Sequence, residues 1–244
     1  MTAAKFKRFY ARASWTAVPP GAAGRAGAGF RVLLDGKAVK TPAKAEMALP
    51  TQALAEAIAA EWQAQGEEVE SRSLVLTGLA WTAIDRAGPG RERVVDELAG
   101  YGAHDLVCYH AEMPADLVAR QRERWQPLLD WAARSLDAPL AVTTGVVSIE
   151  QPPEALAALR RAAAAWDDFE LTALGAAVTA AGSLVIALAL VAGKIDAAVA
   201  FDAAQLDESY QIERWGEDPE AARRRAAIKA DLEAAARFLA LLRG

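Results

Sequence analysis

From Leu171 to Gly193 the chain runs for 23 residues without a charged side chain. A stretch of that length can cross a bilayer, and otherwise it must be enclosed by protein on most sides. Its composition decides for enclosure. Ala, Gly, Thr and Ser fill much of it, while the strongly inserting side chains gather in Leu184–Val191. Gly182-Ser183 divides the stretch, and Asp167, Asp168 and Glu170 crowd one flank with no positive cluster to orient it. The expectation is one or two helices buried inside a helical domain, with no membrane insertion.

Enclosing such helices takes a sizeable core, and 244 residues with 53% hydrophobic side chains supply one. Charged residues at 24% belong to a soluble globular chain rather than a disordered one. Cys108 is the single cysteine, so no internal disulfide can form, and with His104 and His110 it cannot build a structural zinc site. No metal and no cofactor are expected. Nine Lys/Arg face two acids in residues 1–50, whereas the other 194 residues hold 18 basic and 30 acidic groups. Such an imbalance can steer a charged partner. Phe6, Phe9, Tyr10 and Trp15 among these basic residues match no ribonucleoprotein strand signature, so no nucleic-acid partner is expected. Met1–Ala4 leads straight into Lys5, without the apolar run of a secretory signal. The expected setting is the bacterial cytoplasm, or the mitochondrial matrix for a processed eukaryotic form, with the chain monomeric.

The pattern divides the chain into a β-rich part with one helix over residues 1–73 and a helical part over 74–244, an α+β protein. Phe9–Val18 alternates as a strand, and Gly21–Gly29 reads as a loop. Phe30–Leu34 and Lys37–Thr41 flank Asp35-Gly36, the pair preferred by type I′ hairpin turns. Met47–Pro50 suggests a short strand. Thr51 can cap a helix over Gln52–Gln65, with Leu54, Ile58 and Trp62 on one face and Gly66 as the stop. Helical spacing then covers Leu74–Arg86, Arg91–Tyr101 and Pro114–Leu136, with Pro127 expected to kink or restart the last. Leu140–Ile149 is β-branched and reads as extended. Pro152-Pro153 opens a helix to about Phe169, further helices fill Leu171–Ile212, and Glu220–Leu242 forms the last.

The residues that could carry chemistry do not assemble in sequence. The glycines of Gly24–Gly29 miss the spacing of a dinucleotide loop, and Gly36-Lys37 lacks the rest of a phosphate loop. His104 and Cys108 would share a helical face four residues apart, but no third group that could orient a base is visible. A soluble enzyme using Cys108, His104 and His110 is the alternative reading; a buried, inert thiol is the simpler one. Asp167-Asp168 and Asp207-Glu208 are adjacent pairs whose side chains diverge on a helix, and they suit N-terminal turns.

Many short motifs nonetheless fall in a characteristic order: Arg8-Phe-Tyr10, Leu34-Asp-Gly-Lys37, Lys40-Thr-Pro42, Glu61-Trp62 with Gln65, and Ala83-Ile-Asp85. Tyr101, Asp105 and Tyr109 follow at four-residue spacing, then Gln121, Trp125, Pro127 and Trp131, Gly182-Ser183-Leu184, and Asp207-Glu208 with Tyr210-Gln211 and Trp215-Gly216. This series resembles the assembly chaperones for the α subunit of the F-type ATP synthase catalytic head, a family of mitochondria and α-proteobacteria. The resemblance covers roughly residues 8 to 240. It implies an ATP-independent chaperone rather than an enzyme, one that binds the unassembled α subunit and keeps it from aggregating until the head assembles. It also implies a small β-rich domain followed by a helical one.

Mitochondrial relatives carry an acidic residue and a His-Asp pair soon after the Trp-Gly. Here the chain runs Glu217-Asp218-Pro219-Glu220, without the His-Asp. Glu220 is the nearest candidate for the family's acidic position, with Glu217 and Asp218 as alternatives, and these three are the candidate client-binding residues. Asp218 also suits a helix N-cap with Pro219 at the first helical position. Trp62 sits on an apolar helix face, and Trp125 and Trp131 read as packing residues. Trp215-Gly216 reads as a helix end, the glycine left-handed and the indole covering it. Asp105 counts among these structural motif residues.

Overall fold

The computed structural model describes residues 5–19, 29–145 and 147–244. The loop expected over Gly21–Gly29 lies outside the described residues up to residue 28. Strand β1 is Lys5–Lys7 and β2 is Ala13–Val18, four residues later than the alternation predicts. The reason is a bend held by side chains. The Arg8 guanidinium donates to the carbonyls of Tyr10 and Ala11 at 3.0 and 2.9 Å, and the Asp35 carboxylate accepts from the N–H groups of Ala11 and Arg12. These donors hold Asp35 below the usual carboxylate range, the Arg12 N–H contributing most.

β2 pairs antiparallel with β3 (Gly29–Leu34), which turns through Asp35-Gly36 into β4 (Lys37–Ala38). Positive φ at both turn residues, 47° and 81°, matches the expected type I′ geometry. The segment expected as a short strand contributes one bridge, Leu49 exchanging backbone bonds with Phe30 at 2.9 Å. Helix α1 (Gln52–Gln63) begins at Thr51, whose extended backbone and side-chain oxygen cap the Leu54 N–H as expected. Leu54, Ala55, Ile58, Ala59 and Trp62 form its buried face.

Gly66 is not the stop. It has no left-handed φ, and α1 ends at Gln63. Arg8, 55 and 57 residues away in the chain, donates to the carbonyls of Gln63 and Gln65 instead. β5 (Glu68–Glu70) then pairs antiparallel with β1, placing Val69 opposite Phe6. Helix α2 (Val75–Thr82) receives its cap from α1, the Glu61 carboxylate accepting from the N–H groups of Leu76 and Thr77 at 2.7 and 2.9 Å. A π-helical turn over Ala83–Ala87 follows, and the Asp85 carboxylate accepts from the Ala43 N–H.

After Gly88-Pro89-Gly90 come α3 (Arg91–Ala99), two 3₁₀ turns (Gly100–His104 and Leu106–Cys108) and β6 (Tyr109–His110). α4 (Ala115–Ser135) contains Pro127 and remains one helix, neither ending nor restarting there. Pro127 and Glu123, the residue whose carbonyl loses its donor, both lie on the exposed side, where water can take the freed acceptor. β7 (Thr143–Thr144) lies in the segment read as extended and pairs parallel with β6. α5 (Pro153–Ala164) stops short of Phe169, and α6 (Asp168–Ala181), α7 (Leu184–Val191), α8 (Ala197–Ala204), α9 (Leu206–Trp215) and α10 (Pro219–Arg243) complete the chain.

The uncharged stretch is most of α6 followed by α7, split as expected at Gly182, where φ is +66°. All eight residues of α7 are buried. Among the described residues no helix is long and apolar enough to cross a membrane. The architecture is α+β, with small sheets near the N-terminus and a mainly helical remainder that includes the short β6–β7 pair.

Two compact units emerge from the contacts, and their line falls elsewhere than the compositional one at residue 73. The first runs to Arg91 and also takes in Asp168–Thr172 and Arg237–Gly244; the second holds Glu92–Asp167 and Ala173–Ala236. Within the first, Phe169 stacks on Phe238 at 6.2 Å and the Thr51 hydroxyl donates to the Leu241 carbonyl at 2.6 Å.

Candidate interaction surface

In the second unit the short joint from α9 to α10 carries the candidate acids. The α9 helix ends at Trp215, and the Gly216 N–H donates to the Ile212 carbonyl at 2.8 Å. Gly216 has φ +84° as expected, but ψ of 169° takes it out of the left-handed helical well into a region that glycine alone enters readily. Trp215 does not cover it. The residue is 76% exposed.

The three acids have three different surroundings. Asp218 caps α10, its Oδ1 accepting from the N–H groups of Glu220 and Ala221 at 2.8 and 3.0 Å. Those bonds, the one from Ala221 first, hold its carboxyl below the usual range. Glu217 pairs with Arg225 at 3.2 Å. Arg225 is largely buried, donates also to the Ser209 hydroxyl at 3.0 Å, and lies 5.2 Å over the Phe201 ring. Glu217 is thereby tied into packing between α8, α9 and α10. Glu220 is exposed and its carboxylate forms no ion pair among the described residues. Trp215, five residues earlier in the chain, is exposed, so the joint offers one uncommitted charge and one uncovered aromatic ring.

The Cys/His set takes a different form from the one its spacing suggests. His104 ends one 3₁₀ turn and Cys108 the next, with Asp105 extended between them, so they share no helical face. The His104 Nδ1 lies 3.1 Å from the Tyr109 hydroxyl, and the His110 Nε2 lies 3.1 Å from the Val107 carbonyl. Burial, reinforced by the neighbouring Asp105 carboxylate, pushes the Cys108 thiol up to about 12. Among the described residues no three His, Cys, Asp or Glu side chains gather to hold a metal ion.

Asp105 is fully buried and organises the start of α7. It accepts from the Ser183 hydroxyl at 2.6 Å and the Val185 N–H at 3.0 Å, while Ser183 caps the Ile186 N–H at 3.0 Å. Burial pushes the carboxyl up, and the bond from Ser183 and those from the backbone work against that. Trp125 is buried, donating its indole N–H to the Ala203 carbonyl at 2.9 Å, and Trp131 is half-buried on the same helix. Trp62 is 4% exposed and meets Tyr10 edge-on at 5.7 Å. Sequence spacing does not reveal the exposure of Trp215, since a helix-terminal Trp before Gly reads equally as a cap cover.

The sequence model of the ATP12 chaperone protein family matches residues 7–133. The mitochondrial protein atp12 of Schizosaccharomyces pombe is 24% identical over 197 residues, which span 76% of this chain and 68% of that protein. The crystal structure of Atp12 from Paracoccus denitrificans aligns with a TM-score of 0.87 at 41% identity, covering 97% of this chain and 98% of that one. A mutant of the same protein, with one Asp exchanged for Lys, aligns with the same score and identity over 97% of each chain. Sequence and fold thus agree over nearly the whole length, and the chain belongs to the ATP12 chaperone family.

Proposed function

We propose that this chain is an ATP-independent chaperone for the F-type ATP synthase, and that its client is the unassembled α subunit of the catalytic head. Membership of a chaperone family carries the reading. The client assignment rests on the ordered motifs from Arg8 to Gly216. The protein works as a monomer in the bacterial cytoplasm, or in the mitochondrial matrix if the source is eukaryotic, and holds the subunit against aggregation until neighbouring subunits replace it. It has no enzymatic role in this reading, which agrees with a Cys108 thiol held near 12 and away from solvent.

The α9–α10 joint supplies the client contact. Trp215 offers apolar area, and Glu220 offers a carboxylate that the chain itself does not use. The test is light scattering of isolated α subunit at its aggregation temperature. Equimolar or lower chaperone, without nucleotide, suppresses the rise in scattering. An absolute need for ATP, or no suppression at an equimolar ratio, overturns the proposal.

A further inference from the structure

A groove of about 500 Å³ opens in the first unit, between the β3–β4 hairpin and the aromatic residues of α1 and α2. Tyr10, Trp62 and Trp81 form its aromatic wall, and Phe9, 69% exposed, extends that wall toward solvent. Lys37, Lys40 and Lys44 also line the groove. All three are exposed, and none forms an ion pair among the described residues. The one acid in the lining, Asp35, is already engaged by the backbone N–H groups of Ala11 and Arg12.

Two donors in the wall lack acceptors. The indole Nε1 atoms of Trp62 and Trp81 are buried and meet no hydrogen-bond partner among the described residues. Trp62 is itself only 4% exposed, and the two rings meet edge-on at 6.4 Å. Both Nε1 atoms are closed off from solvent, so a ligand in the groove meets ring carbon and not the N–H. Aromatic walls ask for apolar side chains, and three free ammonium groups ask for carboxylates.

We propose that this groove binds an extended, acidic and apolar segment of a protein client, with carboxylates on the three lysines and apolar side chains against the aromatic wall. The inference deepens the chaperone reading and rests on it for the client, but the binding chemistry can be measured alone. It places a second contact on the molecule, of opposite charge to the α9–α10 joint.

Two arms test it on the full chain. In the first, a blocked octapeptide of alternating glutamate and leucine is titrated while tryptophan fluorescence is followed. Binding is expected, and about 0.3 M salt weakens it several-fold, as screening of exposed charges requires. The triple variant Lys37→Glu, Lys40→Glu, Lys44→Glu loses about tenfold in affinity and melts like wild type. Its Lys→Arg counterpart retains binding. No binding by wild type, equal binding by the triple Glu variant, or tighter binding of a thymidine decanucleotide overturns the proposal. In the second arm the triple Glu variant is set against isolated α subunit. Wild-type-like capture of that subunit by the variant overturns the groove as a client site. Failure of the wild type to capture the subunit while the peptide binds overturns the client assignment and leaves the groove standing.

Discussion

Glu220 and Cys108 show what a single side chain's surroundings decide. Glu220 has no internal partner, so Glu220→Gln or Glu220→Lys should shift stability by no more than about 0.5 kcal/mol. Loss of a charge-assisted contact with the client should cost roughly 1.5–3 kcal/mol of binding, and Lys should cost more than Gln because it adds repulsion. Thermal melting paired with α-subunit capture separates the two effects. Glu217→Lys should behave differently and lower the melting temperature, since it breaks the pairing with a largely buried Arg225. Normal capture by Lys variants of all three acids would reduce the cluster to a helix start. Cys108 sits at the opposite extreme, with no exposure. It should resist a disulfide reagent at about pH 8 in the native state and react rapidly in urea. Cys108→Ala should cost roughly 1 kcal/mol in urea unfolding, as a modest core truncation does, and leave client capture intact.

Elements are joined here by side chains that reach across long stretches of sequence, and Asp105 is the clearest case. Replacing it with Ala strips the acceptor from the Ser183 hydroxyl and the Val185 N–H at the buried start of α7. Buried donors left unpaired cost about 1–3 kcal/mol each, so Asp105→Ala should lose about 3 kcal/mol or more in urea unfolding, and Asp105→Asn less. These links also explain what the sequence reveals. The hairpin at Asp35-Gly36, the cap at Thr51, the split at Gly182-Ser183 and the cap at Asp218 were all legible, because each depends on residues within a few positions. The end of α1 was not legible, because its last carbonyls are met by side chains, Gln65 at Glu61, Tyr10 at Trp62 and Arg8 at Gln63, rather than by a glycine. Helix α2 is capped from Glu61, fifteen residues upstream, and β1 finds its partner only in β5. At the candidate site the acids could be read as a group, but their division into cap, ion pair and free carboxylate needed Arg225, which only the fold brings to Glu217.

At the scale of the molecule, the first unit is discontinuous. Phe238 is fully buried and stacks on Phe169 within it, so Phe238→Ala should cost roughly 3–5 kcal/mol, seen as a lower urea midpoint. Limited proteolysis should then cut the early hairpin region sooner than in wild type, although Phe238 lies some two hundred residues downstream of it. Such a unit has its own timetable during synthesis. The Thr51 hydroxyl must wait 190 residues for the Leu241 carbonyl it donates to, which at ribosomal rates of about 5–20 residues per second is roughly 10–40 s. Through that interval the emerging sheet and α1 lack Phe238 and Leu239, two side chains their unit buries. Of the two units, the one begun earlier is finished later.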